Sequence, residues 1–426
     1  MQVTPVARLL FGSLLTLCLV SGCVTQLRQQ NSFVDSIRTQ GLAQTQTNLE
    51  KIKSNERSMA LHLLNLGTLK SLNGDYQSSN ADLERAKQII NRLQASSITE
   101  NVGAATINET LRSYTGTPSE RVLLHLQKAL NYLQLQQLDE ARVEILQADV
   151  TMQQLAKADS LSGQLASAHF ISGLIYELNS EFDNAMISYR RALAISDRQK
   201  QTVPLPLQDS LLQLSKSQDF KEEYQTYQRR FSHPADTLAN GDRELFIIYT
   251  DGLISHKEQQ RISVYSFQQQ QNIALAVPVY PASLYYPQSL TVNIAGKNYR
   301  TEMIENIETL ARQDLNQAMP AITAAAMTRM LAKYQVTHDV QKSQGELAGL
   351  LVNIAGSLSE RADLRSWNML PSSIQVARVI IPASVSINDI QWPPELNQPT
   401  VLRFSEGKKL LLIASSLQRY AKSSAP

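Results

Sequence analysis

From Phe33 to Phe231 apolar positions recur at the spacing of amphipathic helices; beyond Leu245 they fall largely into short runs typical of strands. Phe33, Ile37, Leu42, Leu49 and Ile52 mark a helix reaching toward Arg57 on a mostly polar background, suited to capping an array. Leu63, Leu66 and Gly67 lie on the first helix of a pair; Asn73-Gly74-Asp75-Tyr76 is its turn, and Leu83 and Ala86 lie on the second. The periodicity weakens between Ala95 and Glu120, then resumes as a helix over Val122–Leu135 and another ending near Asp149. A third pair spans Ala168–Ile195, turning at Asn179-Ser180. Thr202-Val-Pro-Leu-Pro206 is expected to break the array before a degenerate last unit carrying Leu211, Leu214, Phe220 and Tyr227. Lys221, Glu222, Glu223, Arg229 and Arg230 make that unit polar outside, as a terminal cap requires.

Within the third pair, small residues (Gly173, Ala185, Ala192) alternate with large ones (Tyr176, Phe182, Tyr189, Leu193). Gly67, Tyr76 and Ala86 repeat this order, with Lys70 and Ser79 departing from it, and Ala129, Tyr132, Leu138, Ala141 and Ala148 repeat it again. The pattern resembles the tetratricopeptide repeat, a helix–turn–helix unit of about 34 residues, with Asp197 where a closing Pro is usual. Ala141 and Ala185 stand further apart than one repeat, so an extended helix or loop is expected over Thr151–Gly163. The resemblance implies a surface that grips other chains, with Leu123, Leu126, Leu130 and Leu133 lining the concave groove. Together with Leu124 and Leu135 these make the helix apolar nearly all round, which calls for burial on every side. The filler is the Ala95–Glu120 segment, the C-terminal half, or a partner; the four leucines are the expected partner-binding groove.

Ser232–Asp242, with Pro234, Asn240 and Gly241, reads as a linker. Strands are expected at Leu245–Tyr249, Ile262–Phe267 and Ile273–Val279, and Leu290–Ile294 with Asn298–Arg300 forms a hairpin about Ala295-Gly296-Lys297. Glu302–Tyr334 reads as a helix kinked or restarted at Pro320, and Gly345–Leu358 as a second amphipathic helix. Strands resume at Ile374–Ile381, Val385–Ile390, Val401–Phe404 and Leu410–Ile413. The fold class is therefore α+β: a helical solenoid followed by a mostly antiparallel sheet with two helices.

The N-terminus changes this picture. Arg8, the apolar run Leu9–Val20 and Ser21-Gly22-Cys23 resemble a lipoprotein signal, which implies cleavage after Gly22 and acylation of Cys23. Val24 after that Cys favours the outer membrane by family resemblance. The expected organisation is a leader over 1–22, a lipidated tether over 23–32, a helical domain over 33–231, a linker over 232–242, an α+β domain over 243–415 and a tail over 416–426. Of the two Cys, Cys18 lies in the leader, so no thiol remains for disulfide, redox or zinc chemistry. Lys and Arg total 40 against 38 Asp and Glu, mixed along the chain, which leaves no nucleic-acid footprint.

Tyr114…Gly116…Pro118…Glu120, then Ala129-Leu130-Asn131-Tyr132-Leu133, Arg361-Ala-Asp-Leu-Arg-Ser-Trp367 and Leu370-Pro371 together resemble an uncharacterised family of repeat-bearing lipoproteins from Gram-negative bacteria. That resemblance implies fold and location, and no catalytic residues. The six His are scattered without an HExxH pair, and His125 and His169 occupy matching helical positions expected to be packed. Ser405-Glu-Gly-Lys408 has the letters of SxxK but a turn's composition, so no catalytic, metal or cofactor residue is expected. Two candidates remain for contact. Tyr280, Tyr285 and Tyr286 form an aromatic loop suited to a protein partner. Asp363, Arg365 and Trp367 offer charge and stacking for a cell-wall ligand, or else fix a helix exit and plug the sheet. The functional expectation is a non-enzymatic adaptor for protein partners on the periplasmic face of the outer membrane, with no small-molecule substrate evident; the alternative is a cell-wall ligand binder or enzyme.

Overall fold

Four helical hairpins repeat one turn. The computed structural model describes residues 33–99, 112–156, 161–266, 271–283, 285–344, 361–396 and 399–421. Its helical half runs α1 (Phe33–Glu50), α2 (Met59–Leu72), α3 (Tyr76–Thr99), α4 (Pro118–Gln134), α5 (Leu138–Leu155), α6 (Ala166–Leu178), α7 (Phe182–Arg198), α8 (Leu205–Ser217) and α9 (Lys221–Phe231). Between the helices of each pair one residue takes a left-handed conformation: Gly74, Gln136, Ser180 or Asp219. The amide after it donates back five residues, from Asp75 to Lys70 O, Gln137 to Tyr132 O, Glu181 to Tyr176 O and Phe220 to Ser215 O, at 2.8–2.9 Å. This six-to-one closure stops the first helix and aims the second back along it.

The small positions are close approaches. A Cβ on Gly173 would lie 2.5 Å from the Tyr189 ring, and one on Gly67 would lie 2.8 Å from Leu83. Ser79 and Lys70, which depart from the repeat pattern, are used locally: Ser79 Oγ donates to Gly67 O at 2.6 Å, and Lys70 pairs with Asp82 at 2.6 Å. Helix α4 opens on a capping box between Thr117 and Glu120, with Pro118 in its first turn. The same chemistry corrects the expected break at Thr202–Pro206. Pro206 stands in the first turn of α8, where its missing N–H leaves no hydrogen bond unmade, and α8 packs on α7 so the solenoid continues. The capping helix ends at Glu50, and Glu56–Ser58 is a separate 3-10 turn.

The C-terminal half carries β1 (Arg243–Asp251), β2 (Glu258–Ser266), β3 (Gln271–Val279), β4 (Thr291–Ile294), β5 (Lys297–Arg300), β6 (Glu302–Asn306), α10 (Ile307–Gln344), β7 (Ser373–Ile381), β8 (Leu402–Phe404) and β9 (Lys409–Ser415). The main sheet has the order β6-β7-β1-β9-β8, with only the β1–β9 pair parallel. Alternation along β1 buries both faces. Phe246 and Ile248 join the solenoid's core, while Leu245, Ile247 and Tyr249 join a second core under the β4–β5 hairpin with Val292, Ile294, Leu410 and Leu412. The β2–β3 ribbon packs separately on α10 through Leu275 and Ala326.

Three expectations change here. Glu302–Asn306 is an edge strand, so the helix begins at Ile307, and it runs through Pro320 without a break to Gln344. Val385–Ile390 is no strand: Ser386 and Asp389 close a capping box around the 3-10 turn Ile387–Asp389. The tail begins later than residue 416, because Ser416–Tyr420 folds into a 3-10 turn that buries Leu417 and meets α1. The second helix, Gly345–Leu358, lies outside the described residues, as do the leader, Cys23 and the tether.

Candidate interaction surfaces of the solenoid

Helices α2, α4, α6 and α8 form the concave side, and the C-terminal half lies in it. Leu123, Leu126, Leu130 and Leu133 are all buried, in one continuous cluster with Trp367, Met369, Phe246 and Leu411. The expected partner groove is therefore occupied by the chain itself. Polar bonds pin the filling along its length. Trp367 Nε1 donates to Thr68 Oγ1 at 3.0 Å, Trp367 N to Glu120 Oε1 at 2.7 Å and Met369 N to Asn65 Oδ1 at 3.2 Å. The same Glu120 accepts from Tyr114 Oη and Thr117 N, so one carboxylate caps α4 and holds the Trp367 backbone.

At the other end Arg378 of β7 crosses from sheet to solenoid. Its Nη2 donates to Glu177 Oε1 at 3.0 Å and to Glu244 Oε1 at 2.6 Å, and its Nη1 to Ser210 Oγ at 2.9 Å. Lys409 Nζ reaches the same Glu177 oxygen at 2.7 Å, Tyr189 Oη donates to its other oxygen at 3.0 Å, and the Phe246 ring centre lies 4.8 Å from the guanidinium. Burial pushes the Glu177 carboxyl up, but Arg378 and Lys409 outweigh it and hold the carboxyl below its ordinary range.

A third contact titrates. Glu305 of β6 is buried against the start of α6, accepting from Ser167 N at 3.1 Å and Ser167 Oγ at 3.3 Å through Oε2, while its Oε1 has no partner. Burial pushes this carboxyl from 4.5 up to about 7, only partly countered by Ser167. A folded-state value above the unfolded one gives stability that is present below about pH 4.5 and lost as pH rises through about 7. Asp209, raised to about 6 by burial and the nearby Asp236, acts in the same direction. Melting temperature is thus expected to fall most clearly from pH 6.5 to pH 8, since below pH 6.5 the buried His169, held down to about 4, opposes the trend. Glu305→Gln should remove most of the slope above pH 6 and be more stable than wild type at pH 8, by on the order of 2–3 kcal/mol. Thermal melts of both proteins across this range check it, and parallel curves would remove Glu305 as the titrating group.

The remaining predicted sites are mostly internal. Tyr280 lies between Arg312 and Lys257, whose charges are 5.6 and 5.9 Å from its ring centre, and Arg312 donates to its carbonyl. Tyr285 donates to the buried Asp251 at 2.6 Å, which leaves Tyr286, 77% exposed, as the loop's free aromatic. Asp363 pairs with Arg365 at 2.6 Å, and Arg365 also donates to the Arg57 and Arg112 carbonyls. With Trp367 fully buried, this trio fastens the chain to itself. His125 Nδ1 donates to Glu144 at 2.8 Å, and the buried Lys128 bridges Glu144 and the half-exposed Glu84. Ser405, Glu406 and Gly407 all take positive φ in the turn between β8 and β9, so the Ser–Lys letters belong to a tight turn.

Sequence reasoning passed over the outer face. Val143, Leu146, Val150 and Ile187 are 40–52% exposed. The first three follow i, i+3, i+7 along α5. Ion pairs Arg142–Glu181 at 2.6 Å and Asp149–Arg191 at 2.7 Å align α5 with α7, bracketing Leu146 and Ile187 in a shared row. Arg190–Glu223 and Asp197–Arg230 continue the alignment to α9. Exposed pairs of this kind add little stability each, but they fix the helices' relative register.

Among the described residues no group of three or more His, Cys, Asp or Glu side chains is placed to hold a metal ion, and no helix is long and apolar enough to cross a membrane. No family model matches the sequence, and no curated protein matches it. Parts of the chain resemble solved structures. A crystal structure of MamA matches with 13% identity and a TM-score of 0.31, over 46% of this chain and 91% of that one. BtubC (BKLC) from P. vanneervenii matches with 16% identity and a TM-score of 0.33, over 50% and 84%. The apo form of RapI matches with 14% identity and a TM-score of 0.33, over 45% and 46%. Likeness at this level assigns no activity or partner.

Proposed function

We propose that this chain is a non-enzymatic scaffold, anchored by lipid on Cys23 to the periplasmic face of a bacterial outer membrane, which holds another protein against the outer face of its solenoid. Envelope assembly, cell-wall or secretion machinery is the setting such an address implies. The carrying observation is the row Val143, Leu146, Val150 and Ile187. Its concave counterpart is already filled, while this row leaves four large aliphatic side chains in water between bracketing ion pairs. Contiguous exposed apolar surface rimmed by charge is a common mark of protein contact sites. The lipid reading rests on Leu19-Val20-Ser21-Gly22-Cys23, and two or more acyl chains would suffice for stable anchoring.

Both limbs are testable in cells. The wild-type chain is expected to incorporate an alkyne-bearing palmitate and fractionate with the outer membrane, whereas Cys23→Ser should do neither. A photo-crosslinking residue at Leu146 should give a discrete adduct that Val150→Glu with Ile187→Glu removes, and the same residue at the buried Leu126 should give none. An unlabelled wild type sinks the anchor; adducts indifferent to the glutamates sink the outer-face scaffold.

A further inference from the structure

Below the exposed row, the C-terminal ends of α5 and α7 and the start of α6 line a depression of about 470 Å³, within the range of small-ligand sites. Met152, Ala194 and Ile195 give it apolar walls. Its polar edge is Gln153, Gln164, Arg191, Arg198 and His169. His169 is the notable member. Only 6% of it is exposed, yet its ring has no hydrogen-bond partner among the described residues, and it lines this space. Neither ring nitrogen is sealed from solvent, so a group entering the depression can supply the bond in place of water. Burial also drives its imidazole down to about 4, so it stays neutral at physiological pH and offers one N–H and one acceptor nitrogen.

The charges select the occupant. Asp149 and Arg191 are paired at 2.7 Å and cancel, while Arg198 has no carboxylate bound to it among the described residues. Among the described lining residues the surplus is one positive charge beside an apolar wall and a neutral donor. We propose that this depression binds a monoanionic carboxylate carrying a compact apolar body, with the carboxylate on Arg198, the body against Met152 and Ile195, and a polar group of the ligand bonded to His169. Two sources have this chemistry: a free organic acid, or the C-terminal carboxylate of a polypeptide. The site is independent of the anchor and of the exposed row.

Calorimetric titration of the full chain with N-acetyl-leucine tests it, with N-acetyl-leucinamide as the uncharged control. The acid is expected to bind saturably and at least tenfold more tightly than the amide. Arg198→Ala, at an exposed position that leaves the core intact, should weaken the acid by tenfold or more, and Arg198→Lys should recover part of the loss. His169→Phe should weaken acid and amide alike, because it removes the bond to the ligand's polar group. The peptide acetyl-Ala-Ala-Leu with a free carboxylate separates the sources: tenfold tighter binding than N-acetyl-leucine assigns a polypeptide terminus, and equal binding assigns a free acid. Absence of saturable heat with the acid, equal affinity for acid and amide, or indifference to Arg198→Ala overturns the proposal.

Discussion

Arg378→Ala is expected to lower folding stability by about 3–5 kcal/mol, because it removes the shared cation of a buried cluster and leaves the carboxylates behind. Glu177 would keep Lys409 and Tyr189, whereas Glu244 would lose both of its bonds from Arg378, at 2.6 and 3.1 Å. The loss reflects stranded charge more than the worth of the ion pair. A quadruple variant, Glu177→Leu, Arg378→Leu, Glu244→Leu and Lys409→Leu, should therefore be closer to wild type than the single variant is, since a well-packed apolar replacement of a whole buried ionic group is often neutral. Chemical denaturation in a Trp392→Phe background reads this cleanly, because Trp367 then reports alone from the groove. A single-variant loss under 1 kcal/mol would mean that water reaches the cluster and relieves the stranded carboxylates.

How far the fold is legible in the chain depends on whether its determinants are local. Gly67 and Gly173 mark close approaches because one nearby partner, Leu83 or Tyr189, leaves no room for a side chain, and that partner lies within the same hairpin. The fourth hairpin, read as degenerate, closes its turn at Asp219 with the same backbone bond that the first makes after Gly74. Strand β6 is hidden for a different reason: Ile304, Ile307 and Leu310 keep helical spacing across a boundary set by pairing with β7. Burial of Glu305 on that strand is also invisible locally, since its partner Ser167 is 138 residues away. The leucines of α4 announce that the helix is covered on all sides, and what covers it depends on contacts such as Glu177–Arg378, 201 residues apart. The outer row was readable as apolar spacing on α5. Its exposure was not, because a helix reveals its stripes and leaves open which of them meets a neighbour.

Trp367→Ala should also cost about 3–5 kcal/mol, through a cavity in place of polar loss. The indole is the largest fully buried side chain, and it stands where α2, α4 and the returning chain meet. Its N–H bond to Thr68 Oγ1 is the smaller part. Thr68 keeps its own hydroxyl bond to Leu64 O at 3.0 Å, so no donor is orphaned when the indole is removed. Trp367→Phe should therefore lose much less than the alanine variant, with about 1 kcal/mol for the missing hydrogen bond and a further share for unfilled volume. The alanine variant should also bind a hydrophobic dye such as ANS, as the surface around Leu126 and Leu130 loosens, and the phenylalanine variant should not. Thermal and urea unfolding of both, with Trp392 as reporter, measure the difference; equal losses would place the energy in the hydrogen bond and leave the groove's closure to Arg378. Because Trp367 is held by α2 and α4 while Arg378 is held by α6 and α8, the two fastenings share no bonded partner. Their losses should add within about 0.5 kcal/mol in the double variant if the ends of the groove close independently. A combined loss well short of the sum would instead mean that the sheet enters the groove as one unit, so that releasing either end already releases the other.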